Sequence, residues 1–345
     1  MTPVNLVLMG MGNVGRAFIH LVGEKSGLCR ERYGLNLCLK AVLKTNGGFF
    51  AGRPLDPGDI AGLPASELAK HPAWKPGLHL DDVLKSVNPG VLVECTPTNL
   101  HTGQPGLSHI TRALKKKWHV AAASKGALVV NFKGLNAFAR KQGVSLKYSG
   151  AAAAALPTLD VGLFSLAGTE ILRIEGILTG VTNYILTRME ESFSFQEALK
   201  EAQAKGIAEP DPSLDVDGWD SAAKILLIAN SVAGMSFSLK DIRREGIRNV
   251  TPEDIQKAGK EGKSLKLLAR FDRRKDEPKA EVCLTAIENT HPLFSVSGTN
   301  KGIVFFTDTM GQVTVTGGKS DPRGTAAALL KDIINIYRQE WSPCL

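Results

Sequence analysis

An apolar run from Val4 to Met9 opens directly onto Gly10-Met11-Gly12-Asn13-Val14-Gly15, and a helical pattern from about Asn13 to Lys25 follows. A G-x-G-x-x-G turn between a strand and a helix leaves few folds open, because its glycines permit a tight turn and close approach of the main chain to a pyrophosphate. The N–H groups and dipole at the start of the helix then favour that anion. A bare glycine-rich turn is the alternative, and the strand and helix on either side argue against it.

Further short apolar runs at Leu37 to Leu43, Val91 to Glu94, His119 to Ala123 and Val144 to Tyr148 alternate with helical stretches. This is the pattern of an open parallel sheet covered by helices, an α/β domain of Rossmann type. Thr45 to Leu80 breaks the alternation with Gly47-Gly48, Arg53-Pro54, Asp56-Pro57-Gly58, His71-Pro72 and Pro76-Gly77. It reads as an irregular excursion carrying one short helix, at the sheet edge or the rim of a cofactor cleft.

At 345 residues the chain exceeds the roughly 100–200 residues of one ordinary domain. A second domain follows, with a strand at Ile171 to Leu178 and helices at about Thr182 to Glu191, Phe195 to Lys205 and Trp219 to Ala233. Thr251-Pro252-Glu253-Asp254 is a helix start, with an N-cap, a proline in the first turn and acids facing the positive end of the dipole. Strand candidates then run at Leu265 to Phe271, Ala280 to Ile287, Ile303 to Thr307 and Gln312 to Thr316, which predicts an α+β domain with a mixed sheet. The last helix, about Gly324 to Arg338, carries an apolar stripe at Leu329, Ile333 and Tyr337 that must dock somewhere. Ala151 to Ala155 is either the start of an Ala-rich helix or a place of close backbone approach.

Hydrophobic residues at 43% and charged residues at 22% suit a folded chain with a wetted surface. No apolar run reaches the roughly 18 residues of a membrane helix, and Met1 to Gly10 lacks a basic leader, so a cytoplasmic protein without membrane contact is expected. The five cysteines (Cys29, Cys38, Cys95, Cys283, Cys344) have no metal-site spacing, and Cys344 near the terminus is the candidate for redox sensitivity. The net charge of +8 is spread along the chain, and with aromatics at 6% no nucleic-acid partner is expected.

The second strand candidate ends at Lys44, where an acid would bind an adenosine ribose 2′-hydroxyl and a basic group accommodates a 2′-phosphate. NADP is therefore favoured over NAD, a solvent-facing Lys44 being the alternative. Thr96, Ser124 and Lys125 follow strands at the carboxyl edge of the sheet, where ligands bind. The densest constellation runs from Gly206 to Lys224: Glu209, Asp211, Asp215, Asp217 and Asp220 precede one lysine, and Pro210 and Pro212 stiffen the loop. Asp220 and Lys224 lie one helical turn apart, either as an acid and base sharing a site or as an ordinary i,i+4 pair. Such carboxylates suit a substrate bearing an ammonium group, with Lys224 or Lys125 handling the proton of an alcohol or aldehyde.

The stretch from Ala202 to Lys224, with Gly206, Asp211-Pro212, Asp215, Gly218, Asp220 and Lys224 at their spacings, resembles the signature of the homoserine dehydrogenases. The resemblance extends through Gly10 to Gly15, Ser124-Lys125, Leu156-Pro157, Gly176 to Leu186, His291 to Gly318 and Thr325-Ala326. It implies NAD(P)-dependent interconversion of L-homoserine and L-aspartate 4-semialdehyde in threonine and methionine biosynthesis. It implies that Lys224 is the proton donor with Asp220 its partner, that Glu209 and Asp215 hold the substrate ammonium, and that Gly180 lies in the substrate loop. Lys125 would stand between cofactor and substrate, and Met11, Asn13, Val14, Thr96 and Lys125 would contact the cofactor. It also implies a homodimer through the second domain's sheet and a closing helix returned to the first domain. The domains would then be residues 1–148 completed by 318–345, and residues 149–317.

Two departures qualify the transfer. Many members carry Glu after Tyr148, where it helps hold a sodium ion, and this chain has Ser149, which leaves only main-chain oxygens near Ala152, Ala154 and Leu156 and no expectation of tight binding. Val181 stands where members commonly have Thr. A dehydrogenase of another small amino aldehyde or keto acid, or a non-catalytic NADP-binding protein, are the competing readings. Lys224, Asp220, Glu209 and Lys125 occurring together count against the last. Larger members append a regulatory domain, and with the chain ending at Leu345 no threonine feedback is expected.

Overall fold

The protein is described from a computed structural model, which covers residues 1–274, 277–318 and 320–338. It divides into two units, residues 1–154 with the closing helix, and residues 155–321. In the first unit the chain runs β1 (Thr2–Met9), α1 (Asn13–Tyr33), β2 (Leu35–Lys44), β3 (Gly47–Phe50), α2 (Pro57–Ala61), β4 (Trp74–Pro76), α3 (Leu80–Ser86), β5 (Val91–Glu94), α4 (Gly106–Lys115), β6 (His119–Ala122), α5 (Gly126–Gln142), β7 (Leu146–Lys147) and α6 (Ser149–Ala152).

Its strands, among the described residues, form one sheet in the order β4-β3-β2-β1-β5-β6-β7. β2, β1, β5, β6 and β7 are parallel. Register aligns Leu43, Met9, Glu94 and Ala122 in one row, so the residues that follow all emerge at the same carboxyl edge. The apolar strands are buried on both faces, as parallel strands under helices must be. α1 stops at Gly34, whose φ of 66° a glycine adopts without strain, and Arg30 and Arg32 face the negative end of its dipole.

The excursion after β2 is more regular than its sequence predicts. β3 and β4 pair antiparallel at the sheet edge. A Cβ on Gly48 would come 2.5 Å from the Val42 carbonyl oxygen, so this turn back onto β2 needs a glycine. The buried Phe49 ring meets the edges of Trp74 and His71, with centroids 5.2 and 5.3 Å away. Strands of three or four residues fit between breakers that would end any helix, which is why the sequence reads as irregular.

The closing helix, Pro322–Arg338, buries Ala326, Leu329, Leu330, Ile333 and Ile336 in the same apolar cluster as Leu6, Leu8, Phe18 and Val22. Each buried Leu or Ile contributes about 1.5–3 kcal/mol. The Arg323 guanidinium grips Glu24 of α1 at 3.0 and 2.6 Å, and this holds the Glu24 carboxyl below its ordinary range.

The second unit contains α7 (Thr158–Asp160), β8 (Ile171–Ile177), α8 (Gly180–Glu190), α9 (Phe195–Ala204), α10 (Ser213–Val216), α11 (Trp219–Val232), β9 (Ile242–Arg244), α12 (Pro252–Lys260), β10 (Lys263–Asp272), β11 (Lys279–Glu288), β12 (Lys301–Thr307) and β13 (Gln312–Gly317). Its sheet order is β13-β12-β8-β10-β11-β9, antiparallel except for the β11–β9 pair, hence mixed. α11, whose Ala222, Ile225, Leu226, Leu227, Ile228 and Ala229 are buried, packs against β10 and β11. Ser194 and Thr251 cap α9 and α12 by reciprocal capping boxes. The three-residue β9 is too short for periodicity to reveal. Among the described residues no helix is long and apolar enough to cross a membrane.

Candidate active site

In the first unit the site is built at the carboxyl edge of the sheet. The Gly10 N–H donates to the Leu43 carbonyl at 2.9 Å, so the glycine-rich turn continues the β1–β2 ladder before α1 begins. A Cβ on Gly10, where φ is 96°, would lie 2.6 Å from the Cys95 oxygen, and one on Gly15 would lie 2.2 Å from the Gly10 oxygen. Gly12 is different: nothing lies within 4 Å of its Cβ position. It is the N-cap of α1, with no side-chain cap and no acid in the first turn, so the first N–H groups face an open side. Asn13 is exposed, Val14 is half-buried against the core, and Met11 is buried within it, leaving Met11 only main chain to offer a ligand. Two glycines that cannot carry side chains beside one open on its outer side fit a dinucleotide pyrophosphate.

The loop after β5 lies against this turn. Glu94 is fully buried, and its carboxylate accepts from the Thr96 N–H at 2.8 Å and from the Thr96 hydroxyl, while its other oxygen pairs with His109 Nδ1 at 2.9 Å. The loop after β6 joins it: the Lys125 N–H donates to Thr98 Oγ1 at 3.2 Å, and a Cβ on Gly126 would strike the Asn99 oxygen at 2.3 Å. Ser124 is buried, and its hydroxyl and the Glu94 carboxylate fill the space beside Gly106. Thr96, Ser124, Lys125 and the glycines are therefore brought to one edge. Lys44, the half-buried last residue of β2, lies at that edge as well. Burial, with the neighbouring Glu94 charge, pushes the Cys95 thiol well above its ordinary range, so it stays neutral.

In the second unit Lys224 and Asp220 meet on α11 at 2.6 Å, each side chain 13% exposed. The Lys224 ammonium also donates to the Leu178 carbonyl at 2.8 Å. Thr179, next in sequence, donates its hydroxyl proton to Asp220 at 3.0 Å and lies 2.9 Å from Ser221 Oγ. The bend between β8 and α8 is thus pinned to the start of α11. Gly180 opens α8 where a Cβ would lie 2.8 Å from the Thr299 oxygen and 2.5 Å from the Ser320 hydroxyl.

The loop ahead of α11 does not bring all five carboxylates to one point. Asp217 is clamped by Arg248, with one contact at 3.1 Å, while Arg244 stacks on the Trp219 ring at 3.3 Å and donates to the Asp217 carbonyl at 2.6 Å. Asp211 accepts from the Ser213 hydroxyl and, at 3.1 Å, from its N–H, which holds the carboxyl below the ordinary range. These two are structural, since compact loops satisfy their own polar groups locally. Glu209 is exposed, and its carbonyl and that of Pro210 are held by Gln203 Nε2 at 3.3 and 3.1 Å. Asp215 is half-buried in the first turn of α10. Gly218 must be glycine: its φ is 79°, and a Cβ would lie 2.3 Å from the Glu245 oxygen.

Among the described residues no group of three or more His, Cys, Asp or Glu is placed to hold a metal ion. Ser149 faces a different cation: its hydroxyl donates to Asp332 at 2.8 Å and accepts from the Lys331 ammonium at 2.8 Å. Of the main-chain oxygens at Ala152, Ala154 and Leu156, that of Leu156 already accepts the Thr158 N–H at 2.8 Å. Cys344 lies outside the described residues. Sequence reasoning missed Glu94, His109, Thr179 and Ser221. The signal for Glu94 was a carboxylate ending an otherwise apolar strand; for the hydroxyls there was none.

Both units match known proteins. Residues 10–149 match the family model described as homoserine dehydrogenase, NAD binding domain, and residues 157–334 match that described as homoserine dehydrogenase. The chain is 36% identical over 342 residues to the homoserine dehydrogenase of Methanocaldococcus jannaschii, covering 97% of this chain and 98% of that one. It is 33% identical to the NAD(+)-dependent homoserine dehydrogenase of Pseudomonas canavaninivorans, covering 98% and 97%. A crystal structure from Archaeoglobus fulgidus assigned to homoserine dehydrogenase superposes with a TM-score of 0.86 at 31% identity, covering 97% of this chain and 99% of that one. The glycine cradle, the Asp220–Lys224 pair and these matches along almost the whole chain lead to one conclusion: the chain belongs to the homoserine dehydrogenases, nicotinamide-dependent oxidoreductases.

Proposed function

We propose that this chain interconverts L-homoserine and L-aspartate 4-semialdehyde, with Lys224 carrying the proton at the substrate oxygen. The observation that supports this is the geometry of the Lys224 ammonium. Asp220 at 2.6 Å and the Leu178 carbonyl at 2.8 Å engage two of its protons, leaving the third for a substrate oxygen. In the reducing direction the ammonium donates that proton to the aldehyde oxygen as it becomes a hydroxyl; in the reverse direction the neutral amine takes it back. Glu209 and Asp215 hold the substrate ammonium, and Gly180 keeps the substrate loop close to the backbone. Lys125 supplies a second cation to the reacting groups.

A bound nicotinamide cofactor supplies hydride in one direction and accepts it in the other. Gly10, Met11, Gly12, Asn13, Val14 and Gly15 would hold its pyrophosphate, Thr96, Ser124 and Lys125 its nicotinamide half, and Lys44 its adenosine end. With Lys44 in place of an acid at the end of β2, NADP is the preferred form. The described cysteines Cys29, Cys38, Cys95 and Cys283 are unpaired, which supports a reducing, cytoplasmic setting.

The test is consumption of reduced cofactor with aspartate 4-semialdehyde, run with NADPH and with NADH. Turnover is expected with a higher kcat/KM for NADPH, and Lys224→Ala is expected to lower kcat by about 10²–10⁴-fold while cofactor affinity holds. Parent-like kcat in a folded Lys224→Ala would remove Lys224 from its role. A parent that binds NADPH and turns nothing over would overturn the substrate assignment and favour another small amino aldehyde.

A further inference from the structure

Thr179 occupies the N-cap of α8 in an extended conformation, φ −124° and ψ 117°, where a threonine hydroxyl ordinarily accepts from the N–H two or three residues on. It makes no such bond. Elsewhere in the same unit Ser194 and Thr251 do cap their helices, each accepting at 3.2 Å from the third residue on. Thr179 is 3% exposed, and its hydroxyl is turned instead toward α11.

Its partners there fix the direction of every proton. Ionised Asp220 can only accept, so the single Thr179 proton goes to Asp220 at 3.0 Å. Ser221, 1% exposed and 2.9 Å away, must then donate to Thr179. The result is a one-way chain, Ser221 to Thr179 to Asp220, ending on the carboxylate that meets Lys224 at 2.6 Å. The carbonyl of Leu178, the residue before Thr179, holds the same ammonium from another side at 2.8 Å.

We infer that Thr179 is a positioning residue for the reaction: its hydroxyl forgoes the helix cap to hold Asp220 in the rotamer that aims Lys224, with Ser221 orienting that hydroxyl. The inference rests on Lys224 being the proton carrier. A side chain that acts through Asp220 on proton delivery alters kcat, while substrate binding by other groups is untouched.

The experiment compares Thr179→Val, Thr179→Ser and Ser221→Ala with the parent and with Lys224→Ala in the full-length protein, reading kcat and KM separately and checking folding by circular dichroism. Thr179→Val keeps the shape and removes the proton donor; it is expected to lower kcat about tenfold with KM for the semialdehyde within about twofold. Thr179→Ser restores the donor and is expected to recover parent kcat, and Ser221→Ala is expected to give a smaller loss in kcat alone. Should Thr179→Val not fold, Thr179→Ala carries the same expectation. A folded valine or alanine variant with parent kcat, a loss that falls on KM, or a serine variant no better than valine would each overturn the inference. Lys224→Ala separates the two levels. If it retains turnover, the proton-carrier reading falls; if it is inactive while Thr179→Val works at the parent rate, only the positioning role falls.

Discussion

Asp332 shows how one buried charge is made tolerable. It is 2% exposed in the closing helix, and both its oxygens accept from Ser149, the N–H and the hydroxyl each at 2.8 Å, with the Lys331 ammonium 3.2 Å away. Burial pushes its carboxyl above the ordinary value of 3.8, and Lys331 and the Ser149 donors offset part of that rise. The folded chain therefore holds the Asp332 proton more tightly than the unfolded chain. The contribution of this group is fully present below 3.8 and is lost as pH rises through the elevated folded value. Relative to Asp332→Asn, the parent's denaturant midpoint is expected to decline as pH rises through the window upward from 3.8. An equal slope in both proteins would show that Asp332 does not titrate there.

The turn between β1 and α1 separates two demands that a glycine motif merges. At Gly15 the constraint is internal, since a Cβ would sit 2.2 Å from the Gly10 oxygen and neither backbone can yield cheaply. At Gly12 the backbone is ordinary and the space is empty, so only a ligand would meet a side chain there. Gly15→Ala is expected to cost about 1–3 kcal/mol of stability as well as cofactor affinity. Gly12→Ala is expected to melt as the parent does and yet bind NADPH at least tenfold more weakly. Thermal melts beside cofactor fluorescence titrations check both; equal melting losses in the two variants would show that the turn, not a ligand, demands Gly12.

The two units use opposite sheet logic. The parallel sheet of the first is buried on both faces. On one face of the mixed sheet, paired residues Phe306 and Arg173 are half-buried, the guanidinium 3.9 Å over the ring, beside a Glu175 that Arg173, Arg270 and His291 surround at 3.5, 3.4 and 2.9 Å. The Nε atom of Arg173 is buried without a hydrogen-bond partner. A half-buried aromatic beside guanidiniums is a composition that interfaces favour, which makes this face the place to test the homodimer that the resemblance to the homoserine dehydrogenases implies. Light scattering is expected to give twice the chain mass for the parent and a shift toward monomer for Phe306→Glu. A monomeric parent would refute the homodimer.

The Gly10 to Gly15 turn, the end of β2 at Lys44 and the i,i+4 spacing of Asp220 and Lys224 could be read directly from the chain, because each depends on neighbours within a few residues. So could the alternation of strand and helix that makes the first unit α/β. The β3–β4 hairpin could not, since strands of three or four residues carry no periodicity and their turns look like loops. Nor could the sorting of the acids between Pro210 and Lys224, where Arg248, 31 residues beyond Asp217, decides which carboxylate is structural. Thr179 lies 41 residues from Asp220, and Ser149 lies 183 from Asp332. Local sequence determined which groups the chain carries and the elements that bear them. Which proton points at which charge was decided only by folding, because a hydrogen bond has a range of about 3 Å in space and no range at all along the chain.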